Sequence, residues 1–287
     1  MGHTGHAPLA AYIAFQLTEL EGQLPLIATA DPEAVHNARL ALRRLRSVLS
    51  CYRGMIPRLP RQAREEVDWL ATSLGESRDA YVLAQRIRLS LDTNDSWKSP
   101  EAVHAAVEEL EASSARLAAA LGGHKRSKRT VRAARAALLE VPAGTKYQPP
   151  TADLAERLQA RWERLQHSLG EQAGTSDPEV RNAAFHQARK DVKCLRYSVE
   201  AIADAFSHHA FGVIQPAIGL QRVLGEQHDA VVATEWIREL ADNPGIDSDD
   251  ARILESMEVR RRLNAEEEFR MAIAEYPVPA PRRALIF

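Results

Sequence analysis

Two segments of the chain recur at a separation of 150 residues, and this internal repeat limits the possible folds more than any other feature. The segment HNARLALRRLR, which starts at His36, returns as HQARKDVKCLR at His186. The segment LGESRDA at Leu74 returns as LGEQHDA at Leu224. Two motifs that share one offset indicate duplicated halves. Because polar residues are retained in both copies, the repeat also predicts a duplicated binding site for an anion.

The composition of the chain and the positions of its helix-capping residues and prolines predict an all-α fold. Alanine, leucine, arginine and glutamate dominate, aromatic residues make up only 6%, and alternating apolar and polar runs are scarce; this is typical of helical proteins. Asp31, Ser99 and Asp177 each precede a proline and are predicted to cap a helix. The helices are predicted at residues 8–28, 33–53, 60–90, 101–121, 125–140, 151–170, 180–207, 213–241 and 250–275.

The proline-rich segment 142–150 is the predicted boundary between two halves of one domain that includes the whole chain. The first half covers about 8–141 and the second about 151–276, with about four helices in each. Three prolines after the second half occupy the region that would repeat the helix at 125–140. Since proline interrupts helices, the segment 277–287 is predicted to be a C-terminal tail.

Each copy of the repeated helix carries a stripe of cationic side chains. At 100° per residue, the histidine and the three basic positions of the first copy fall within about 80° of the helix surface. Leu42 and Leu45 belong to an adjacent apolar stripe. The cationic stripes consist of His36, Arg39, Arg43 and Arg46 in the first copy and of His186, Arg189, Lys193 and Arg196 in the second.

The charge around the first stripe is one-sided, although the formal net charge of the chain is only −2. Residues 36–64 include eight arginines and no acid. Like charges on neighbouring helical turns repel each other, and a bound polyanion would relieve this repulsion. A single such stripe is more simply explained as a solvated face whose aliphatic stems cover the core. Its retention in two copies favours an anion site.

A third basic cluster lies on the helix predicted at 125–140. The sequence has no acid between Ala112 and Leu139, and the basic residues share a stripe about 120° wide. We predict that this stripe extends the anion site, although a solvated face or a nucleic-acid patch would have the same pattern. The predicted binding residues of this stripe are Lys125, Lys128, Arg129 and Arg132.

The residue types indicate a ligand with phosphates rather than bases. Guanidinium groups bind phosphoryl oxygens through two parallel hydrogen bonds, and lysine adds a compact charge. The stripes have little aromatic interleaving, whereas sites for single-stranded nucleic acids use aromatic stacking. Asp79 and Asp229, retained in both copies of the second motif, are expected to pair with an arginine of the stripe and orient it. The alternative is that each aspartate forms a buried ion pair that has no role in binding the anion.

Two further patterns are typical of metal sites, and the repeat argues against both. Glu33 and His36 have the spacing of di-iron helix bundles, but Ala183 replaces the glutamate in the second copy. His228 and Asp229 are similar to the His-Asp pair of metal-dependent phosphohydrolases, but arginine replaces the histidine in the first copy. We therefore predict no metal site and no cofactor.

In these motifs the chain resembles the CHAD family, whose name stands for conserved histidine α-helical domain. The match runs over residues 8–275 and includes both copies of His-x-x-Arg-x-x-x-(Arg/Lys)-x-x-Arg and of Leu-Gly-x-x-(Arg/His)-Asp. The resemblance implies two pseudo-twofold-related helical bundles around a central basic groove or pore. It also implies that the stripe residues bind inorganic polyphosphate and that the protein associates with polyphosphate granules.

The predicted function is non-enzymatic binding of inorganic polyphosphate, with other polyphosphate-granule proteins as further partners. Some members of the family carry a triphosphate-cleaving domain marked by Glu-x-Glu-x-Lys, a signature that does not occur in this sequence. No run approaches the roughly 20 apolar residues of a membrane span, and the first residues lack a signal-peptide pattern, so a cytoplasmic location is predicted. A nucleic-acid-binding protein and a metal-dependent phosphohydrolase remain the alternatives.

Overall fold

The computed structural model describes residues 8–93, 97–140, 151–171, 177–206 and 208–285. Within these ranges every regular element is a helix, which confirms the all-α prediction. The helices are α1 (Pro8–Ile27), α2 (Pro32–Cys51), α3 (Arg61–Leu91), α4 (Pro100–Gly122), α5 (Lys125–Leu139), α6 (Thr151–Glu171), α7 (Pro178–Glu200), α8 (Ala203–Phe206), α9 (His208–Ala241), α10 (Ser248–Glu275) and α11 (Pro281–Ala284). None of these described helices is long and apolar enough to cross a membrane. The predicted boundary at 142–150 lies outside the described residues.

Two helices differ from their predicted bounds. The helix predicted at 180–207 ends at Glu200 and is followed by the short α8. The next helix, α9, begins at residue 208 rather than 213. Ala201 and Ile202 form a turn and are buried. Tertiary burial therefore favours a turn at a place where helix propensity alone would continue α7.

The two repeated helices begin with the same type of cap. The Asp31 carboxylate accepts two backbone N–H groups of α2, at 2.9 and 3.4 Å. The Asp177 carboxylate accepts two equivalent groups of α7, also at 2.9 and 3.4 Å. Asp31 precedes His36 by five residues, whereas Asp177 precedes His186 by nine. The second motif helix is therefore about one turn longer at its start.

Ser99 is the N-cap residue of α4, as predicted, but its side chain makes no capping bond to this helix. Its hydroxyl donates instead to the carboxylate of Asp250, at 2.7 Å. The backbone N–H groups of Lys98 and Ser99 donate to the same carboxylate, at 3.0 and 2.6 Å. Burial alone would raise the pKa of Asp250, but these hydrogen bonds lower it. A buried side chain of the second half thus fixes the start of a helix of the first half.

The same helix pairs pack together in the two halves. Helix α1 packs on α2, α2 on α3 and α3 on α4; correspondingly, α6 packs on α7, α7 on α9 and α9 on α10. The halves meet where α2 packs against α7. Two hydrophobic cores contain residues of both halves, one around Leu42 and Leu195 and one around Ile87 and Ile237. The pseudo-twofold relation between the halves stays a prediction.

The segment after α10 packs back onto the second half. The indole Nε1 of Trp162 donates a hydrogen bond to the carbonyl oxygen of Val278, at 2.8 Å. Val278, Pro281 and Leu285 are buried. The four-residue helix α11 occurs in this segment, where the repeat would require a counterpart of the 15-residue α5.

The glycines of the repeated Leu-Gly motif do not mark a close helix contact, although their position in the repeat predicts one. A Cβ atom at Gly225 would meet nothing within 4 Å, and at Gly75 it would touch the guanidinium of Arg39 at 3.9 Å. A Cβ atom at Gly122 would lie 2.1 Å from the backbone nitrogen of Ala28. The contact that requires glycine is therefore between the end of α4 and the end of α1.

We predict that Gly122→Ala lowers the free energy of unfolding by about 2 kcal/mol or more, because its methyl group would collide with backbone atoms. Gly22→Ala is the control, since Gly22 lies in α1 with open space around it. This control should stabilise the protein by up to about 1 kcal/mol through helix propensity. Urea denaturation measures both effects. Equal stability of the two variants would contradict the close contact.

Candidate anion-binding site

Helices α2, α3, α7 and α9 surround a cavity of about 370 Å³. Its charged wall residues come from both copies of both repeated motifs, so the cavity is built by the duplication itself. Leu40, Val82, Tyr197 and Gln221 complete the wall. The charged and imidazole side chains of the wall are His36, Arg39, Arg43, Arg78, Asp79, Arg189, Arg196 and Asp229.

A two-pronged ion pair holds the first arginine of the cavity. The guanidinium of Arg39 donates to both carboxylate oxygens of Asp79, from Nη1 at 2.7 Å and from Nη2 at 3.2 Å. The Arg39 side chain is 15% exposed, whereas that of Asp79 is 63% exposed. The aspartate therefore fixes the direction of an arginine that is mostly enclosed in the wall.

The equivalent pair in the second half is looser. The Nη2 atom of Arg189 lies 3.7 Å from an oxygen of Asp229. Burial raises the pKa of Asp229, and the charge of Arg189 opposes this shift. Both expected aspartate–arginine contacts are present, but the first is a bidentate hydrogen-bonded pair and the second a longer electrostatic contact.

Arg43, Arg78 and Lys193 have no carboxylate within ion-pair distance among the described residues, whereas Arg39 and Arg189 each have one. Burial, together with Arg39 and Arg189, lowers the pKa of Arg43 to about 10. Burial, together with Arg189, Arg43 and Arg39, lowers the pKa of Lys193 to about 6. The two stripes therefore face each other closely enough for their charges to repel across the interface between the halves.

The histidines of the motifs are kept neutral by this environment. Burial and the neighbouring Arg189 lower the pKa of His228 to about 3. Its ring contacts that of His186, with the centroids 5.0 Å apart. Burial and nearby cations also lower the pKa of His186 and of His36. Without a bound anion, the neutral imidazoles therefore add no positive charge to the cationic side chains of the two stripes.

Two stripe residues make contacts away from the centre of the cluster. Arg46 is absent from the cavity wall, as are Lys193 and His186, and it pairs with Asp68 at 3.1 Å. Arg196 lies in the wall but donates to Glu200 at 2.7 Å and to Gln221 at 3.1 Å. On each helix, some residues of the cationic stripe therefore line the cavity, whereas others contact different partners.

The structure does not bring the predicted residues of α5 to the cavity. Helix α5 packs on α1 and α3 through a buried face that includes Val131 and Leu138. Its stripe consequently faces solvent, with Lys125, Lys128, Arg129 and Arg132 all exposed. None of the four belongs to the cavity wall. The participation of α5 in anion binding remains a prediction.

Sequence reasoning missed Arg78 as a wall residue. Its guanidinium donates to the carbonyl oxygen of Pro32 at 3.3 Å and lies 5.2 Å from the centre of the Tyr81 ring. The second half has His228 at this position of the repeat, and because the residue type differs between the copies, the position was not recognised as basic in both.

Among the described residues, no group of three or more His, Cys, Asp or Glu residues is arranged to hold a metal ion.

Comparisons with known proteins agree on the family. A sequence model of the CHAD domain matches residues 11–238. The chain belongs to the CHAD family. An uncharacterised Mycobacterium tuberculosis protein, found in strains CDC 1551 and H37Rv, is 32% identical to this CHAD chain over 218 residues. The match includes 71% of this chain and 40% of those relatives, so the chain spans less than half of their length.

Two solved structures share the CHAD fold of this chain. PptA from Streptomyces chartreusis superimposes with a TM-score of 0.73 at 19% identity, over 93% of this chain and 98% of that one. The crystal structure of the CHAD domain from the plant Ricinus communis superimposes with a TM-score of 0.72 at 22% identity, over 97% and 99%. At these identities the likeness extends to the fold alone.

We predict that Lys193→Met raises the melting temperature at pH 7, because folding makes Lys193 give up its proton in a buried, cationic environment. Between about pH 6 and the ordinary pKa of lysine, the unfolded chain binds a proton at Lys193 that the folded chain does not. The stability of the unmodified protein should therefore rise with pH in this range, and the variant should lose this part of the rise. Melting followed by circular dichroism at several pH values measures both.

Lys190→Met on the exposed side of α7 is the matched control and should change neither quantity. A lower melting temperature for Lys193→Met, with the pH dependence retained, would show that Lys193 is not confined among cations.

Proposed function

We propose that the chain binds inorganic polyphosphate in the cavity between α2 and α7 and does not hydrolyse it. The observation that carries this proposal is the cavity wall, which brings Arg39 and Arg43 of the first repeated helix together with Arg189 and Arg196 of the second. Burial and neighbouring cations lower the pKa values of Arg43 and of the nearby Lys193, and an anion that enters the cavity stabilises their charged forms. Membership of the CHAD family supports the choice of polyphosphate and an association with polyphosphate granules.

The aspartates orient arginines for this ligand. A guanidinium group has five N–H donors, and Arg39 uses two of its own on Asp79. Its remaining donors can bind a phosphoryl oxygen without loss of the ion pair. In this proposal, Arg43 supplies unengaged donors in the wall, Arg39 supplies donors whose direction Asp79 fixes, and Lys193 adds charge close to Arg43 and Arg189. Asp79 and Asp229, engaged by arginines, are not free to act as general bases, which is why we propose binding alone.

The wall of the cavity favours a phosphate chain over a nucleic acid. Tyr197 is buried, and the guanidinium of Arg196 lies 5.2 Å from the centre of its ring. This ring is therefore not available as a platform for a nucleic-acid base, on which single-strand binding sites depend. A polymer of phosphates without bases matches a wall of guanidinium and imidazole groups.

We predict that Arg43→Gln combined with Lys193→Gln weakens the binding of long-chain polyphosphate by about a hundredfold, since two charge-assisted hydrogen bonds are lost. Fluorescence titration at one fixed salt concentration measures the affinity. The fold should persist, because the substitutions relieve repulsion between the two positions.

The control for this variant is Arg260→Gln combined with Arg283→Gln. Both arginines are exposed, neither has an ion-pair partner in the described part of the chain, and neither belongs to the cavity wall. The control removes the same charge and should bind normally. Equal binding by the two double variants would refute the site, and stronger binding of RNA or DNA than of polyphosphate at matched salt would refute the ligand.

Polyphosphate binding should be coupled to proton uptake. Phosphate charge raises the pKa of Lys193 from its value of about 6 in the free protein, so the complex gains a proton near neutral pH. The affinity should consequently increase as the pH falls from about 8 to about 6. Titration calorimetry in buffers of different ionisation enthalpy measures the number of protons taken up. Lys193→Gln should reduce this uptake, and the uptake that remains would come from the histidines, whose pKa values the phosphate charge also raises.

A further inference from the structure

A second arginine cluster surrounds a pocket between α2 and α3. The pocket has a volume of about 140 Å³, and its wall includes Arg46, Arg53, Arg58 and Arg64. Asp68 is the carboxylate of this wall and pairs with Arg46, at 3.1 Å. In the part of the chain that the structure describes, the other three arginines form no ion pair. The pocket therefore has a surplus of positive charge.

The turn that carries two of these arginines is fixed by the fold. Gly54 adopts a φ of 88°, in the left-handed region that favours glycine. Ile56 and Leu59 are buried in the hydrophobic core. Arg53 and Arg58 lie on either side of Ile56 and are exposed. The core thus anchors the turn and presents both guanidinium groups at the pocket, so that a ligand does not have to order the backbone.

The pocket and the central cavity lie along the same pair of helices, α2 and α3. Arg39 pairs with Asp79 at the cavity end, and Arg46 pairs with Asp68 at the pocket end. The seven-residue step from Arg39 to Arg46 along α2 corresponds to about 10 Å. A long chain of linked phosphates can therefore occupy both places, whereas a short one is confined to one of them.

The second half has no equivalent of this arginine cluster in its described residues. Two of the positions that correspond to the unpaired arginines hold Ala203 and Ile214, and Ile214 is buried. The counterpart of Arg46 is Arg196, which donates to Glu200 and belongs to the wall of the central cavity. Among the described residues, the arginine pocket beside the cavity is therefore a property of the first half.

We propose that the pocket is the second subsite of a one-sided polyphosphate path, which runs from the cavity along α2 and α3 to Arg53, Arg58 and Arg64. This inference rests on the proposed binding of polyphosphate in the cavity. Because the path contacts more phosphates than the cavity alone, it makes the protein select long chains over short ones.

The variant Arg53→Gln with Arg58→Gln tests the path, since both side chains are exposed and lie outside the core. The double variant Arg260→Gln with Arg283→Gln is the control of equal charge. Each protein is titrated with tripolyphosphate and with long-chain polyphosphate at the same salt concentration. The pocket variant should bind tripolyphosphate like the unmodified protein and long-chain polyphosphate about tenfold more weakly. The control should bind both normally.

The path is overturned if the pocket variant binds long chains as well as the control does, or if it loses the same factor for both ligands. In either case the cavity remains the binding site. If the unmodified protein binds neither polyphosphate, the proposed function is overturned, and the path with it.

Discussion

The packing of α2 against α7 is the contact on which the rest of the structure depends. Both helices bury apolar side chains in one core, among them Leu42 and Leu195, and burial of a leucine contributes about 2 kcal/mol. The same packing brings Arg43 and Lys193 close together, where burial and repulsion both oppose their charged forms. Hydrophobic burial therefore holds a cluster of like charges that would otherwise move apart.

The proposed binding of polyphosphate would couple stability to ligand binding. The confined cations destabilise the free protein, and an anion that neutralises them in the folded state would stabilise the fold by mass action. Substitutions that remove the repulsion should stabilise the free protein at the expense of binding, as is common when a site holds strained groups. The lowered pKa of Lys193 is the measurable sign of this coupling. Asp79 and Asp229 moderate the repulsion without removing it.

The duplicated halves have the same helix pairings but different polar contacts. The Arg39–Asp79 pair is bidentate, whereas the nearest Arg189–Asp229 contact is 3.7 Å. His228 occupies the position of an arginine in the first half, and the arginine pocket beside α2 has no counterpart in the described residues of the second. Packing constrains the apolar positions in both copies, whereas the polar positions around one shared ligand need not remain identical.

The sequence by itself determined the helices, the repeat and the cationic stripes, because periodicity, caps and proline positions are local properties of the chain. Only the tertiary structure decided which stripe residues meet. A stripe specifies where a side chain lies around its own helix, but its partner depends on which helix packs there. For this reason Arg46 contacts Asp68 away from the cavity, α5 turns its cations to solvent, and Arg78 joins a wall that no local pattern assigned to it.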